Sequence, residues 1–329
     1  MKRTKHFPLY LIICSLLILL MGLVSIRIGA KEITAAEIIQ AIFHYDKTSS
    51  QHVIIQSLRL PRLLISAAAG ASLAVSGAIM QGITRNPMAS PSIFGINAGA
   101  GLGLALTMIF LPQAGFSQTI WFSFAGAGLA FLLIYGVSSL TAVGKSPVYL
   151  ALIGSAVSAM LNSVSQALAT YFNIAQDITF WQAGGVAGVR PEQVRMVLPW
   201  TGLGLVIAIC ISRSISILSL GEDVAQGLGG KIARTKFLAG VAVLLLTGSA
   251  VAVAGPIGFV GLVVPHFVRF LIGTDYRKVI IFSAFAGAWL TITADVISRV
   301  INPPYETPIG AMTALIGVPF FIHLAMKKA

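Results

Sequence analysis

The chain has 329 residues, of which 57% are hydrophobic and only 10% are charged, and its mean hydropathy is +0.90. Because soluble globular proteins carry about 25% charged residues, this composition excludes a soluble enzyme or regulator and predicts an integral membrane protein. The formal net charge of +12 does not indicate nucleic acid binding, since most basic residues lie where they would face the cytoplasm. The expected surroundings are membrane lipid, with no nucleic acid partner.

Ten apolar runs approach the roughly 20 residues that a helix needs to cross a bilayer. They lie at about 8–27, 63–83, 93–112, 118–143, 148–172, 197–218, 237–254, 256–272, 279–298 and 308–326. Ten runs in succession predict one all-α, polytopic transmembrane domain over residues 1–329. The first run exceeds the apolar core of a signal peptide and has no clear cleavage site, so we expect it to be retained.

The basic residues predict the orientation of the chain. With the amino terminus in the cytoplasm and runs crossing alternately, fourteen of the 22 lysines and arginines fall at inner ends. They are Lys2, Arg3, Lys5, Arg85, Lys145, Arg213, Lys231, Arg234, Lys236, Arg269, Arg277, Lys278, Lys327 and Lys328. By the positive-inside rule, both termini are expected in the cytoplasm and the number of spans is expected to be even.

Three segments between the runs are long enough to have structure of their own. Residues 28–58 are expected outside and include EITAAEIIQAIFHY, whose apolar positions recur at helical spacing and predict a short surface helix. Residues 173–196, also outside, end in a helix start at Pro191 and Glu192. Residues 219–236, SLGEDVAQGLGGKIARTK, are expected inside.

The eighth run is interrupted by helix-breaking and polar residues. Within residues 255–278, Pro256, Pro265, His266 and Arg269 would be costly in hydrocarbon, because a proline frees backbone groups that lipid cannot satisfy. This stretch is therefore predicted to pack inside the bundle or beside water. His266 is interpreted as a structural hydrogen-bonding residue.

Patterns of catalytic and metal sites are weak in this sequence. The glycine cluster at 227–232 lacks the first glycine and the serine or threonine of a phosphate-binding loop, and the five histidines lack metal-ligand spacing. Cys14 and Cys210 lie in predicted spans and are interpreted as small apolar residues. Asp295 is the one clear acid within a span, so an ion-driven transporter would have few carboxylates for a proton relay. We expect no catalytic residue, no metal and no cofactor.

Small and polar residues recur at helical spacing within several runs. Small residues every four positions let helix backbones approach closely and predict helix packing. They are Ala68, Ser72 and Ser76 in the second run, and Gly95, Gly99 and Gly103 in the third. In the fifth run, Ser155, Ser158, Asn162 and Ser165 form one polar face, which either hydrogen-bonds to other helices or faces a water-filled path.

Six sequence blocks occur in order along nearly the whole chain. They are RLPR at 59–62, GASLAVSGAIMQGITRNPMASPSIFGINAGAGLG at 70–103, WQAGGVAGV at 181–189, LSLGEDVAQGLG at 218–229, VAGPIGFVGLVVPHFVRFLIGTDYR at 253–277 and ETPIGAMTALIGVPFFIHL at 306–324. Together they resemble the permease subunit of bacterial ABC importers for iron-siderophore complexes, with cobalamin and haem permeases as close relatives. One block would be weak evidence, whereas six in order are specific.

The resemblance implies a ten-helix transport subunit of the bacterial cytoplasmic membrane, and not an enzyme. Such permeases pair with a second permease subunit, identical or paralogous, join a cytoplasmic ABC ATPase dimer and receive substrate from an extracytoplasmic binding protein. The expected cargo is a ferric siderophore, moved inward by alternating access that the ATPase drives, with cobalamin or haem as the alternative. Alternatives of other classes are an ion-coupled secondary transporter and a membrane-embedded enzyme.

The resemblance also implies a docking site at the outer face. In the family, arginines at the positions of Arg59, Arg62 and Arg299 meet acidic residues of the binding protein. Three fixed cations on one face suit recognition of carboxylates by guanidinium groups. The alternatives are interfacial anchoring and pairing of Arg299 with Asp295, one turn earlier.

At the inner face, the segment at about 219–231 corresponds to the family's coupling helices, which sit in a groove of each ATPase. The residues that the resemblance assigns to coupling are Leu220, Gly221, Glu222, Asp223, Ala225, Leu228 and Gly229. Acids at a helix start interact favourably with the macrodipole, and glycines after it permit a tight turn, although a plain capped loop shares these features.

The translocation pathway is expected along the fifth run. Ser155, Ser158 and Asn162 are predicted to face a central cavity between two permeases, and Ser146 and Pro147 are predicted to lie near the inner gate.

Overall fold

The structure, a computed structural model, describes residues 7–29, 33–140, 147–303 and 305–326. In chain order its α-helices are α1 (Phe7–Arg27), α2 (Ala35–Phe43), α3 (Ser50–Ile54), α4 (Leu60–Thr84), α5 (Ile96–Phe110), α6 (Phe116–Leu140), α7 (Pro147–Tyr171), α8 (Ala175–Ala183), α9 (Pro191–Leu218), α10 (Glu222–Gly227), α11 (Ile232–Ala254), α12 (Val260–Ile272), α13 (Tyr276–Val300) and α14 (Ile309–Met326). A π-helical turn, Ile55–Arg59, joins α3 to α4, and a 3₁₀ turn, Pro91–Phe94, precedes α5.

The predicted all-α membrane fold is confirmed. In the described part of the chain, seven helical segments are long and apolar enough to cross a bilayer, and three shorter apolar helices accompany them. The shortest of these, α12, has 13 residues and spans about 20 Å at 1.5 Å per residue, less than the roughly 30 Å hydrocarbon core. The backbone that completes such a crossing must be shielded by other helices, because lipid satisfies no backbone polar group.

The second span is longer than the sequence predicts. The apolar run begins at about residue 63, whereas the helix is continuous from Ser50 to Thr84 and includes the π-helical turn. The polar residues of its first turns hide this extension from a hydropathy reading. Arg59 therefore lies within this continuous helical segment and is 7% exposed.

Helix α4 is the buried centre of the bundle and packs against α9, α11, α12 and α13. Its predicted small residues are buried here, and glycines bring the backbones together at two further points. A Cβ atom added to Gly70 would lie 2.2 Å from the carbonyl oxygen of Gly287 in α13, and one added to Gly77 would lie 1.8 Å from that of Gly261 in α12. Neither glycine can therefore be replaced without moving a helix.

The predicted glycine packing of the third span is confirmed for two of its three residues. Gly99 and Gly103 of α5 lie against the backbone of α6 at Gly126 and Phe122. Gly95 instead occupies the turn before α5, with φ +65°, a conformation that glycine adopts without steric cost.

The interrupted eighth run becomes a loop and a short, kink-prone helix. Helix α11 ends at Ala254, and α12 contains Pro265 in its interior. A proline removes the hydrogen bond to the carbonyl four residues earlier, which here belongs to Gly261. The side-chain amide of Gln81 in α4 donates to this carbonyl at 3.2 Å and to that of Leu262 at 3.3 Å. The freed backbone is thus satisfied inside the bundle, as predicted.

The predicted surface helix and the predicted start of α9 are also confirmed. Helix α2 begins with a capping box, in which Thr34 and Glu37 satisfy each other's backbone amides. Helix α9 begins at Pro191, six residues before the apolar run itself.

Candidate functional site

The outer ends of α4 and α13 hold a cluster of charged residues around Asp295. This carboxylate is fully buried in α13. Arg62 donates to its Oδ1 from Nε at 2.9 Å and from Nη2 at 2.8 Å, and Arg299 donates to its Oδ2 at 2.8 Å. An ionised carboxylate is stable in such a place only when it is paired and hydrogen-bonded, so these two arginines are what allow Asp295 to be there.

Arg62 also binds a second carboxylate, from the segment between α13 and α14. Its Nη1 donates to Oε1 of Glu306 at 2.6 Å, and its Nη2 donates to Oε2 at 3.1 Å. The side chain of Glu306 is 42% exposed, whereas that of Arg62 is 13% exposed. The guanidinium is therefore held between a buried and a solvent-facing carboxylate.

Arg59 and Arg299 donate to the carboxyl-terminal end of α1. Arg59 binds the carbonyl oxygens of Ile26 and Arg27, the latter at 2.9 Å, and Arg299 binds those of Ser25 at 3.0 Å and Ile28 at 3.1 Å. The last four carbonyls of a helix have no partner within it. The two guanidinium groups take that place and attach α1 to α4 and α13.

The structure therefore brings together the three predicted docking arginines, which with Asp295 and Glu306 form what we call the outer charge cluster. The pairing of Arg299 with Asp295, considered as an alternative, is present. Three cations against two carboxylates leave one net positive charge. Sequence reasoning missed the second carboxylate, although Glu306 opens the last of the six blocks. Docking at these arginines stays a prediction.

At the inner end, residues 219–231 form the segment assigned to coupling, which we call the coupling segment. Helix α10 begins at Glu222, as predicted, directly after Gly221 with φ +131°. Gly229, with φ +75°, ends the turn that follows. Side chains are strained at such φ values, so these two glycines set the angle at which α10 leaves α9.

The coupling segment exposes three apolar side chains. Leu220 before α10, Val224 within it and Leu228 at its end are 68%, 47% and 66% exposed. By contrast, Ala225 is 3% exposed and packs towards α9 and α11. Glu222 accepts a hydrogen bond from Lys236 of α11 at 2.7 Å, and Asp223 is exposed. The segment is thus fastened to the bundle and offers three exposed apolar side chains.

A neighbouring inner loop carries a helix cap with a perturbed carboxylate. Asp275 caps α13 by accepting from the amide of Arg277. Burial raises the pKa of Asp275, but hydrogen bonds from Arg277 and the charges of Arg277 and Lys278 lower the pKa below its usual value. The carboxylate is therefore ionised at neutral pH.

A cavity of about 610 Å³ lies among α5, α7, α8 and the loop before α12, and we call it the polar cavity. Its polar side chains are Asn97, Asn162, Ser163, Ser165, Gln166, Trp181 and Gln182. The α7 residues among them lie in the second half of that helix, towards the end predicted to be outside.

Of the residues predicted for the pathway, Asn162 lines this cavity, together with Ser165 of the same polar face. Ser155 is exposed on α7 and donates to the carbonyl of Ala151 at 2.6 Å. The hydroxyl of Ser158 is buried where α7 passes Gly95, away from the cavity. Pro147 is the first residue of α7, and Ser146 lies outside the described residues.

Comparison with known proteins agrees over nearly the whole chain, since residues 16–327 match the FecCD transport family. The chain is 46% identical over 327 residues to the iron(3+)-hydroxamate import system permease protein FhuB of Bacillus subtilis, covering 99% of this chain and 85% of that protein. It is 43% identical over 327 residues to the Fe(3+)-citrate import system permease protein YfmD of the same organism, covering 99% of this chain and 97% of that protein.

A solved structure described as an inward-facing conformation of a metal-chelate type ABC transporter has the same fold. Its TM-score is 0.86 at 28% identity, with 97% of this chain and 99% of that chain covered. With its apolar helices and these relatives, the protein is a multi-pass protein of the bacterial cytoplasmic membrane. The chain belongs to the FecCD transport family.

Proposed function

We propose that this chain is the transmembrane permease subunit of a binding-protein-dependent ABC importer that takes a ferric siderophore into the cytoplasm. The observation that carries the proposal is the family match over residues 16–327. Members of this family are membrane permeases of ABC importers, and the first two relatives are named for iron(3+)-hydroxamate and Fe(3+)-citrate import. The coupling segment and the outer charge cluster supply the two faces that such a subunit requires.

The proposed energy input is at the coupling segment. Isolated apolar side chains are common on protein surfaces, but three exposed ones within nine residues of a short, fastened segment favour a protein partner. A cytoplasmic ATPase whose groove accepts Leu220, Val224 and Leu228 would transmit its closure through α10 to α9 and α11. The permease itself would then move substrate by alternating access, without covalent chemistry of its own.

The proposed translocation path follows α7. Ser155, Asn162, Gln166 and Thr170 are exposed on this helix, and lipid would leave the two amides without hydrogen-bond partners. This face is better placed against a second permease subunit and a water-filled path between the two. Ser155 and Asn162 would then contact the substrate on its way, as predicted from the sequence.

The proposed docking face is the outer charge cluster. Arg59 and Arg299 hold α1, so their guanidinium groups are committed to internal carbonyls, whereas Arg62 is covered on its outer side by the exposed Glu306. A carboxylate of the binding protein would reach Arg62 by replacing Glu306. The net positive charge of the cluster favours such an anion.

Uptake of radiolabelled iron tests the function. In a strain lacking the chromosomal copy, the cloned chain should restore uptake of at least one ferric siderophore from a panel of trihydroxamate, tricatecholate and citrate chelates. Uptake should disappear when the ATPase partner carries an inactive nucleotide site. Restoration of cobalamin or haem uptake alone would contradict the proposed cargo, and uptake that survives without the ATPase would favour an ion-coupled secondary transporter.

Affinity for the binding protein tests the docking face. In purified permease–ATPase complex reconstituted in nanodiscs, Glu306→Gln should tighten binding at least about threefold, because a competing carboxylate is removed from Arg62. Glu192→Gln is the matched control, since Glu192 is an exposed acid at the start of α9, away from the cluster. Equal affinities of wild type and Glu306→Gln would contradict docking at Arg62.

A further inference from the structure

The polar cavity has a lining without charge. Among the described residues that line it there is no lysine, arginine, aspartate or glutamate. Its polar groups are the amides of Asn97, Asn162, Gln166 and Gln182, the hydroxyls of Ser163 and Ser165 and the indole of Trp181. Amides offer both donors and acceptors, so the lining can bind a ligand that carries either kind of group.

Three of these groups are buried without a hydrogen-bond partner among the described residues. They are Oδ1 of Asn97, Oγ of Ser165 and Nε1 of Trp181. Ser165 is 4% exposed, and Trp181 is confined by α5, because a Cβ atom on Gly101 would lie 3.2 Å from its ring. Buried polar groups in folded proteins are nearly always satisfied by protein, water or a bound molecule. Three such groups around one cavity can be satisfied by water or by a polar ligand that enters it.

The size and position of the cavity suit part of a transported chelate. Ligand pockets commonly measure about 300–1,000 Å³, and this cavity of about 610 Å³ is within that range. Asn162 and Gln166 are exposed on α7, so the cavity opens on the face that we assign to the translocation path. With the amino terminus in the cytoplasm, it lies in the outer half of the bundle, where a substrate would arrive first.

We propose that the polar cavity is an entry subsite for an uncharged metal chelate rich in amide and hydroxyl groups, of the ferric trihydroxamate type, and that it discriminates against polyanionic chelates. This inference rests on the proposed function and refines its substrate class. A trianionic ferric tricatecholate would leave water for a lining that offers no cation, and an uncompensated charge in such a place is unfavourable. A neutral trihydroxamate loses no ionic hydration and gains hydrogen bonds to the amides.

Direct binding to the permease–ATPase complex in nanodiscs, without binding protein, tests the inference. Equilibrium dialysis is carried out with radioiron-labelled neutral trihydroxamate and with trianionic tricatecholate. The wild type should bind the trihydroxamate saturably and at least about tenfold more tightly than the tricatecholate, because only the trianion is desolvated without a counter-charge. Gln182 lines the cavity and is exposed, so Gln182→Lys should reduce this ratio at least about threefold and Gln182→Glu should increase it, since each adds one partly screened charge beside the chelate.

Thr179→Lys and Thr179→Glu are the matched controls. Thr179 is on the same helix, is exposed, donates its hydroxyl to the carbonyl of Ala175 at 2.8 Å and does not line the cavity. These two variants should leave the ratio within about twofold of wild type, because Thr179 does not line the cavity and its charge would lie farther from a bound chelate and be more strongly screened.

Several results would overturn the inference. They are the absence of saturable trihydroxamate binding, equal binding of both chelates, an unchanged ratio in Gln182→Lys, or an equal change in Thr179→Lys. The proposed function fails separately: cells that take up no ferric chelate would refute it. Uptake of the tricatecholate through a complex that binds both chelates equally would leave the function intact and refute only the subsite.

Discussion

The outer charge cluster and the coupling segment lie at opposite ends of the bundle and differ in how far their side chains are buried and bonded within the chain. At the outer end, Arg59, Arg62 and Arg299 are nearly buried, and each donates to a carboxylate or carbonyl of the same chain. At the inner end, Leu220 and Leu228 are two-thirds exposed. The outer residues are satisfied within the chain, whereas the inner ones would be covered only by a partner, as the proposed function requires.

The contrast indicates whether each residue acts on the fold or on an interaction with another protein. Loss of a buried group of the outer charge cluster, Asp295 or one of the arginines, leaves a buried opposite charge or helix end without a partner, so the fold itself should suffer. Loss of an apolar side chain from the coupling segment removes nothing from the core, so the fold should remain and an interaction with another protein should weaken. Stability and activity measured together on the same variants separate the two regions.

The largest effect is expected for Asp295→Ala. It removes the carboxylate that pairs with Arg62 and Arg299 and leaves two nearly buried guanidinium groups facing each other, a change that costs about 3–5 kcal/mol for a buried pair. Thermal unfolding and size-exclusion profiles in detergent should show a strongly destabilised or aggregated protein. Asp223→Ala, at an exposed acid of α10, is the control and should unfold like wild type. A wild-type melting temperature for Asp295→Ala would contradict the role given to the cluster.

The next effect is on activity without loss of fold. Leu220→Ser combined with Leu228→Ser should reduce the ATPase stimulation by loaded binding protein at least about tenfold, because apolar side chains at the centre of an interface dominate its affinity. The melting temperature should stay close to that of wild type, since exposed positions contribute little to stability.

A control for this double variant is Phe43→Ser on α2, which removes an exposed apolar side chain, 75% exposed, at the face predicted to be outside. It should keep full stimulation. If the double variant couples normally, or if it unfolds, the exposed face of the coupling segment is not a partner site.

The third effect concerns a hydrogen bond that satisfies a backbone carbonyl inside the membrane-spanning bundle. Gln81→Leu removes the amide that donates to the Gly261 carbonyl freed by Pro265 and should cost about 1–3 kcal/mol, the penalty of one buried unsatisfied polar group. Gln81→Met keeps the length of the side chain but has no hydrogen-bond donor, and it should be destabilised by a similar amount. Denaturation in detergent by urea measures both. Wild-type stability of Gln81→Leu would mean that another group satisfies this carbonyl.

The sequence predicts local features of this protein better than distant pairings. Apolar runs, the capping box at Thr34 and the start of α10 at Glu222 depend on neighbouring residues, so hydropathy and spacing are sufficient to find them. The partner of Asp295 is 233 residues away in Arg62, and that of Gly261 is 180 residues away in Gln81. No periodicity within one helix encodes such pairs. Hydropathy also does not reveal the extension of the second span to Ser50. The polar residues there lower the local hydropathy, although the helical backbone hydrogen bonds continue through them.

The smallest effect is expected for the ion pair between Lys236 and Glu222, which is similar in length to a more buried pair in the outer charge cluster. Lys236 and Glu222 are 2.7 Å apart with side chains 24% and 32% exposed, whereas Arg62 and Asp295 are 2.8 Å apart with side chains 13% and 0% exposed. Water and salt screen the inner pair, so a double-mutant cycle with Glu222→Gln and Lys236→Gln should give a coupling energy of only about 0.2–1 kcal/mol. Added salt should reduce that energy further. A coupling energy as large as that of a buried pair would mean that the coupling segment is held as rigidly as the outer charge cluster. α10 would then transmit force as a fixed part of the bundle, and the exposed leucines alone would set its fit to the ATPase.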